Sequence, residues 1–82
     1  MGANADDPFE VSWAGDHYLI VAHKEGDKHR FRIDGRRIVD EWITPAAAFT
    51  KHLDAEQSLS DAKKHSAAAR AAAEDFLKRQ FE

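Results

Sequence analysis

Phe9-Glu-Val-Ser-Trp-Ala-Gly-Asp-His-Tyr-Leu-Ile-Val-Ala-His-Lys-Glu-Gly-Asp-Lys-His-Arg-Phe-Arg-Ile-Asp-Gly35 is the stretch that decides the architecture. Its first five residues alternate apolar and polar, the period-2 pattern of a half-buried strand. Ala14-Gly-Asp16 interrupts that pattern. His17-Tyr-Leu-Ile-Val-Ala-His23 follows, rich in β-formers and apolar on both parities, as a central strand is. Glu25-Gly-Asp27 marks a second turn, because glycine takes the positive φ that tight hairpins need. Lys28-His-Arg-Phe-Arg-Ile33 alternates again and stops at Asp34-Gly35. The pattern predicts a three-stranded antiparallel meander.

Two-residue turns at Gly15-Asp16 and Gly26-Asp27 set Trp13 opposite Tyr18, Val11 opposite Ile20, and Ala22 opposite Phe31. Phe9, Val11, Trp13, Tyr18, Ile20, Ala22, Phe31 and Ile33 then share one face. Glu10, Ser12, His17, Leu19, Val21, His23, Lys28, Arg30 and Arg32 share the other. A slip of one residue would scatter this separation, so the pattern is expected to specify the register.

Beyond the strands, Arg36-Arg-Ile-Val-Asp-Glu-Trp42 has Ile38 and Trp42 four apart and reads as a helical turn or two. Thr44-Pro45 reads as N-cap and first position of a short helix running to Leu53. Ser58-Leu-Ser-Asp61 resembles a capping box opening the longest helix, Leu59 to about Phe81. Ala62, Ser66, Ala69, Ala73, Phe76, Leu77 and Gln80 form its apolar stripe. The fold expected is α+β: a three-stranded antiparallel β-meander followed by two or three helices, the long C-terminal helix packed on one sheet face. Residues 1–7, small or acidic, are expected to be a disordered tail, and residues 8–82 one domain.

The 82 residues are 43% apolar and 33% charged, a globular rather than disordered balance. With no cysteine, a disulfide scaffold and a thiolate metal site are both excluded. No apolar run reaches the ~18 residues of a membrane span, and the acidic start is unlike a signal peptide, so a cytoplasmic protein is expected. The net charge of −3 divides into −4 over residues 1–16, +3 over 17–37, −4 over 38–62 and +2 over 63–82. A dedicated non-specific nucleic-acid binder would carry a basic excess over the whole domain, which this chain lacks.

Catalytic and metal constellations fare poorly in this reading. His17 and His23 fall ~20 Å apart at ~3.3 Å per residue, and His23 and His29 fall on opposite faces. His52 and His65 lack any HExxH-like spacing. Ser12, Ser58, Ser60 and Ser66 form no nucleophile elbow, and no glycine belongs to a phosphate-binding loop. The expectation is a protein that is not an enzyme and has no cofactor or metal.

Two features point to binding. Leu19 and Val21 are flanked on the edge strand by Lys28, Arg30 and Arg32, the kind of sheet face that some small folds present to a DNA groove. Lys63 and Lys64 open the last helix, where a helix N-terminus also attracts phosphate. The open alternatives are that residues 36–53 cover Leu19 and Val21, and that the arginines pair with Glu10 or with acids of the 38–62 block.

Lys63-Lys-His-Ser-Ala-Ala-Ala-Arg-Ala-Ala-Ala-Glu-Asp-Phe-Leu77 resembles the C-terminal helix of double-stranded-RNA-binding domains, and the resemblance implies that Lys63 and Lys64 contact phosphate. That family's first helix is not expected among the few residues ahead of Phe9, and a long segment stands where the family has a short loop. As a whole the chain resembles small bacterial domains of unknown function that place helices after a sheet, which implies no activity. The expected function is a non-enzymatic domain acting through protein contacts, with a homodimer open. The alternative is a nucleic-acid-associated regulatory protein using Lys28, Arg30, Arg32, Lys63 and Lys64.

Overall fold

The chain reverses between Ala14 and Tyr18, and again between His23 and Asp27, over three residues each time. This length decides the facing of the central strand. The computed structural model describes residues 8–80, so the tail expected at 1–7 and the helix end expected at Phe81 lie outside the described residues. Strands β1 (Phe9–Ala14), β2 (Tyr18–His23), β3 (Lys28–Asp34) and β4 (Arg37–Thr44) form one antiparallel sheet in the order β1-β2-β3-β4. A 3-10 turn (Ala46–Ala48) and helices α1 (Ala55–Lys64) and α2 (Ser66–Gln80) follow. The radius of gyration, 12.8 Å, is close to the roughly 12 Å of a single packed unit this long.

The register corrects the expected one. Trp13 lies opposite Leu19, not Tyr18, and Phe31 also lies opposite Leu19, not Ala22. Phe9, Leu19, Val21, Phe31 and Ile33 therefore share the inner face, while Tyr18, Ile20 and Ala22 share the outer face with Lys28, Arg30 and Arg32. β2 is apolar on both parities, so its hydrophobic pattern fits either facing. The three-residue turns, with Gly15 at φ +74° and Gly26 at φ +113°, select the other one. A side chain at Gly26 would also crowd Ala46, whose Cβ lies 3.1 Å from where the new Cβ would sit.

Residues 37–44 are a fourth strand and not a helical segment. β-branched and aromatic residues suit a pleated surface, and the open edge of β3 supplies hydrogen-bond partners. An irregularity between Arg32 and Ile33 changes parity along β4, so Ile38 pairs with Ile33 on the inner face and Trp42 pairs with Arg30 on the outer. The four-residue spacing of Ile38 and Trp42 is thus the product of a bulge.

Thr44-Pro45 launches only the single 3-10 turn. α1 starts earlier than expected, because Asp54 caps it: its Oδ1 accepts the Gln57 N–H at 2.9 Å. Ser58 is buried, and its Oγ accepts the Ala47 N–H at 2.9 Å, tying α1 to the 3-10 turn. The long helix is broken at His65, which ends α1 before α2 begins. Ala69, Ala73 and Leu77 of the expected stripe pack on Leu19, Val21, Phe31 and Ile33. The alanines let the α2 backbone lie close to the sheet, while Phe76 meets Trp13 edge-on at 6.2 Å.

Candidate functional site

The helices pack on the Leu19/Phe31 face, which leaves the opposite face as the first candidate. At its centre the Arg30 guanidinium lies over two rings, 4.6 Å from the Trp42 centroid and 5.3 Å from that of Tyr18. The two rings are themselves 6.1 Å apart, and Lys28 Nζ sits 5.0 Å from the Phe49 ring centroid. Trp42 and Phe49 remain 41% and 58% exposed. A shallow depression of about 360 Å³ runs between Ile20, Lys28, Arg30 and Trp42. Among the described residues no carboxylate pairs with Lys28, Arg30 or Arg32.

Lys28, Arg30 and Arg32 do stand in a row on one face, but Leu19 and Val21 are absent from it, being fully buried beneath α2. Tyr18, Ile20 and Trp42 take their place. Residues 36–53 do not cover the face: their first half extends the sheet instead. Lys63 and Lys64 are not at a helix N-terminus. The break at His65 puts them in the last turn of α1, where the helix dipole favours cations, and Lys64 Nζ lies 3.9 Å from Asp61 Oδ1.

The second candidate gathers on the inner side, at the end of the β2–β3 hairpin. His23 and His29 share a face here, contrary to the sequence expectation, again because of the three-residue turn. Asp27, 3% exposed, is the hub. Its Oδ2 accepts from His29 Nε2 at 2.7 Å, and its Oδ1 lies 3.2 Å from His65 Nδ1 and 3.7 Å from His23 Nδ1. The His23 and His65 rings stack at 3.8 Å with 14° between their planes, and Phe9 closes on His23 edge-on. His65 arrives from the α1–α2 junction, so the helix break delivers it. An ionised carboxylate only accepts, so His29 carries its proton on Nε2; its buried Nδ1 has no partner.

The electrostatics follow from this packing. Burial, then the neighbouring His65, push the His23 pKa below 6.5, against the opposing pull of Asp27 and Glu25. Burial alone would raise the Asp27 pKa, but the hydrogen bonds from His29 and His65 outweigh it and hold the carboxyl below 3.8. A cleft of about 210 Å³ borders the hub, lined in part by Glu25, Asp27, Asp54 and Asp61. Residue types alone hinted at this cluster through the density of histidines around Gly26; the turn length and the helix break were needed to see it.

A third concavity, about 550 Å³, lies where Arg36, Arg37 and Ile38 meet Arg70, Glu74 and Lys78 of α2. It makes the β3–β4 end of the molecule basic, opposite the acidic cleft. Among the described residues, no helix is long and apolar enough to cross a membrane. No protein family, curated protein or solved structure matches this chain.

Proposed function

We propose that this is a protein-binding module whose contact surface is the outer sheet face. The observation that carries the reading is the Tyr18–Arg30–Trp42 arrangement, half-exposed at the centre of a face that no helix covers among the described residues. Tyr, Trp and Arg are the side chains that most often anchor protein interfaces, since they offer large area at small entropic cost and a polar handle besides. Lys28, Arg30 and Arg32, without ion-pair partners among the described residues, fit an acidic partner segment. A second copy fits less well, because a two-fold axis through the centre of the face would set this row of cations against its own image.

A nucleic-acid reading is favoured by one observation only, the interleaving of rings and cations, which also suits stacked bases. The overall charge of −3 weighs against it. A titration followed by NMR separates these readings. A synthetic peptide of alternating Glu and Tyr is expected to shift the Tyr18, Arg30 and Trp42 resonances, and Trp42→Ala to weaken binding by roughly thirtyfold, the size of an interface anchor. Oligothymidine binding with a steep salt dependence would move the face to nucleic acid. Concentration-dependent shifts of Trp42 without any ligand would make the partner a second copy. Silence toward all three overturns the proposal.

A further inference from the structure

We infer that His23, Asp27 and His65 form a binding site for one divalent transition-metal ion of the zinc class. The three donor atoms lie within 4.8 Å of one another. Asp27 Oδ1 is 3.2 Å from His65 Nδ1 and 3.7 Å from His23 Nδ1. Two ligands that each sit about 2.0–2.1 Å from a tetrahedral zinc ion are roughly 3.4 Å apart. Both Asp27–imidazole separations are therefore already near the spacing that an ion imposes.

The surrounding contacts are those that metal ligands need. Asp27 Oδ2 is held by His29 at 2.7 Å and lies 3.3 Å from His65 Nδ1, while Oδ1 faces both His65 and His23. On the far side of the His65 ring, Nε2 is 3.5 Å from Glu25 Oε2. Glu25 accepts from Nε2–H in the tautomer that bares Nδ1 for the ion. On binding, His65 passes to that tautomer: the proton that Nδ1 donates to Asp27 goes to solvent, and Nε2 takes one up from solvent. Two imidazoles and one carboxylate select zinc, cobalt, nickel or copper over magnesium and calcium, which prefer all-oxygen shells. Three protein ligands leave a fourth position for water. The cleft that Glu25, Asp54 and Asp61 line reaches Asp27, and its negative charge raises the local cation concentration there.

Coordination also asks for rearrangement. The stacked rings must turn until their Nδ1 lone pairs converge, and His23 Nδ1 must release the Glu25 N–H that it accepts at 3.1 Å. Both movements are confined to the hairpin turn and one ring at a helix junction.

Untagged protein, stripped with EDTA, is titrated with zinc chloride by calorimetry and with cobalt chloride by visible absorption. The expected result is one ion per chain, tetrahedral cobalt bands, and a thermal midpoint raised by roughly 10–20 °C at a hundredfold excess of zinc over its Kd. In NMR of the wild-type protein, the ring resonances of His23 and His65 move on zinc addition while those of His17 and His52 stay. His65→Ala, at a partly exposed position, is expected to weaken binding at least a hundredfold, and His52→Ala to leave it unchanged. The inference is overturned by absence of binding to the folded wild-type protein, by affinity that survives His65→Ala, or by shifts centred on His17 or His52. Because the wild-type titration alone can refute it, the result does not depend on how well a variant folds. It is also independent of the outer face.

Discussion

Leu19→Ala is expected to lower the unfolding free energy by about 2–5 kcal/mol, measured by urea denaturation with an unchanged dependence on denaturant. Leu19 is fully buried, opposite both Trp13 and Phe31 and beneath Ala69 and Ala73. The alanines bring the α2 backbone close, so no long side chain stands ready to fill the space left behind. A chain of this size has about 4–12 kcal/mol of stability in all, so the loss is a large share. Ile20→Ala, one position along and on the outer face, is expected to cost distinctly less, because Ile20 is only partly buried. The pair tests the register directly. If Ile20→Ala proves the more damaging, β2 faces the other way and both candidate sites dissolve.

Asp27→Ala is expected to cost about 2–4 kcal/mol, because it removes the carboxylate that accepts from His29 and His65 and leaves a buried donor unsatisfied. The reason lies less in the lost contacts than in what they leave behind. His29 is fully buried, and its Nδ1 is already without a partner. Losing the carboxylate strands Nε2–H as well. Adding His29→Phe to Asp27→Ala is therefore expected to recover much of the loss, since it removes the stranded donor and fills its volume. Equal costs for the single and double variants would show that His29 is not the reason.

The same hub sets a pH dependence in metal-free protein. His23 in the folded chain has its pKa below 6.5, so the unfolded chain takes up a proton that the folded chain resists. That contribution is complete above pH 6.5 and is lost as the pH falls through 6.5 toward the folded value. Asp27, held below 3.8, contributes above that value and is lost as the pH falls further. The groups facing His23 are His65, Asp27, Glu25 and Lys24, and they belong to the hairpin turn and the helix junction. The urea midpoint in EDTA is expected to decline in two stages, the second of which Asp27→Ala removes.

Several features of this molecule are local and could be read from residue order. Phe9 to Ile33 alternates or runs apolar between glycine-bearing turns, which is enough to require antiparallel strands. Ala69, Ala73, Phe76 and Leu77 recur at helical spacing, which is enough to place α2 on a sheet. Lys28, Arg30 and Arg32 alternate with Phe31 and Ile33 on one strand, so their common facing followed from the two-residue period. Non-local features escaped the sequence reading. The segment 37–44 became a strand because β3 had a free edge to offer, and its bulge disguised the period.

Residue order thus determined which segments extend, where they turn, and that one helix covers one side. What it could not determine is which parity of β2 looks inward, since Leu19 and Val21 are as apolar as Ile20 and Ala22. That choice rests on a single residue of turn length, settled by how well Leu19 and Val21 fill the space under Ala69 and Ala73. The meeting of His23, Asp27, His29 and His65 is likewise a tertiary product. It needs the hairpin end and the helix break to arrive at one point, 38 positions apart along the chain from Asp27 to His65. A periodic pattern records only the neighbours of each residue in sequence, whereas burial and convergence depend on which faces the assembled chain closes together.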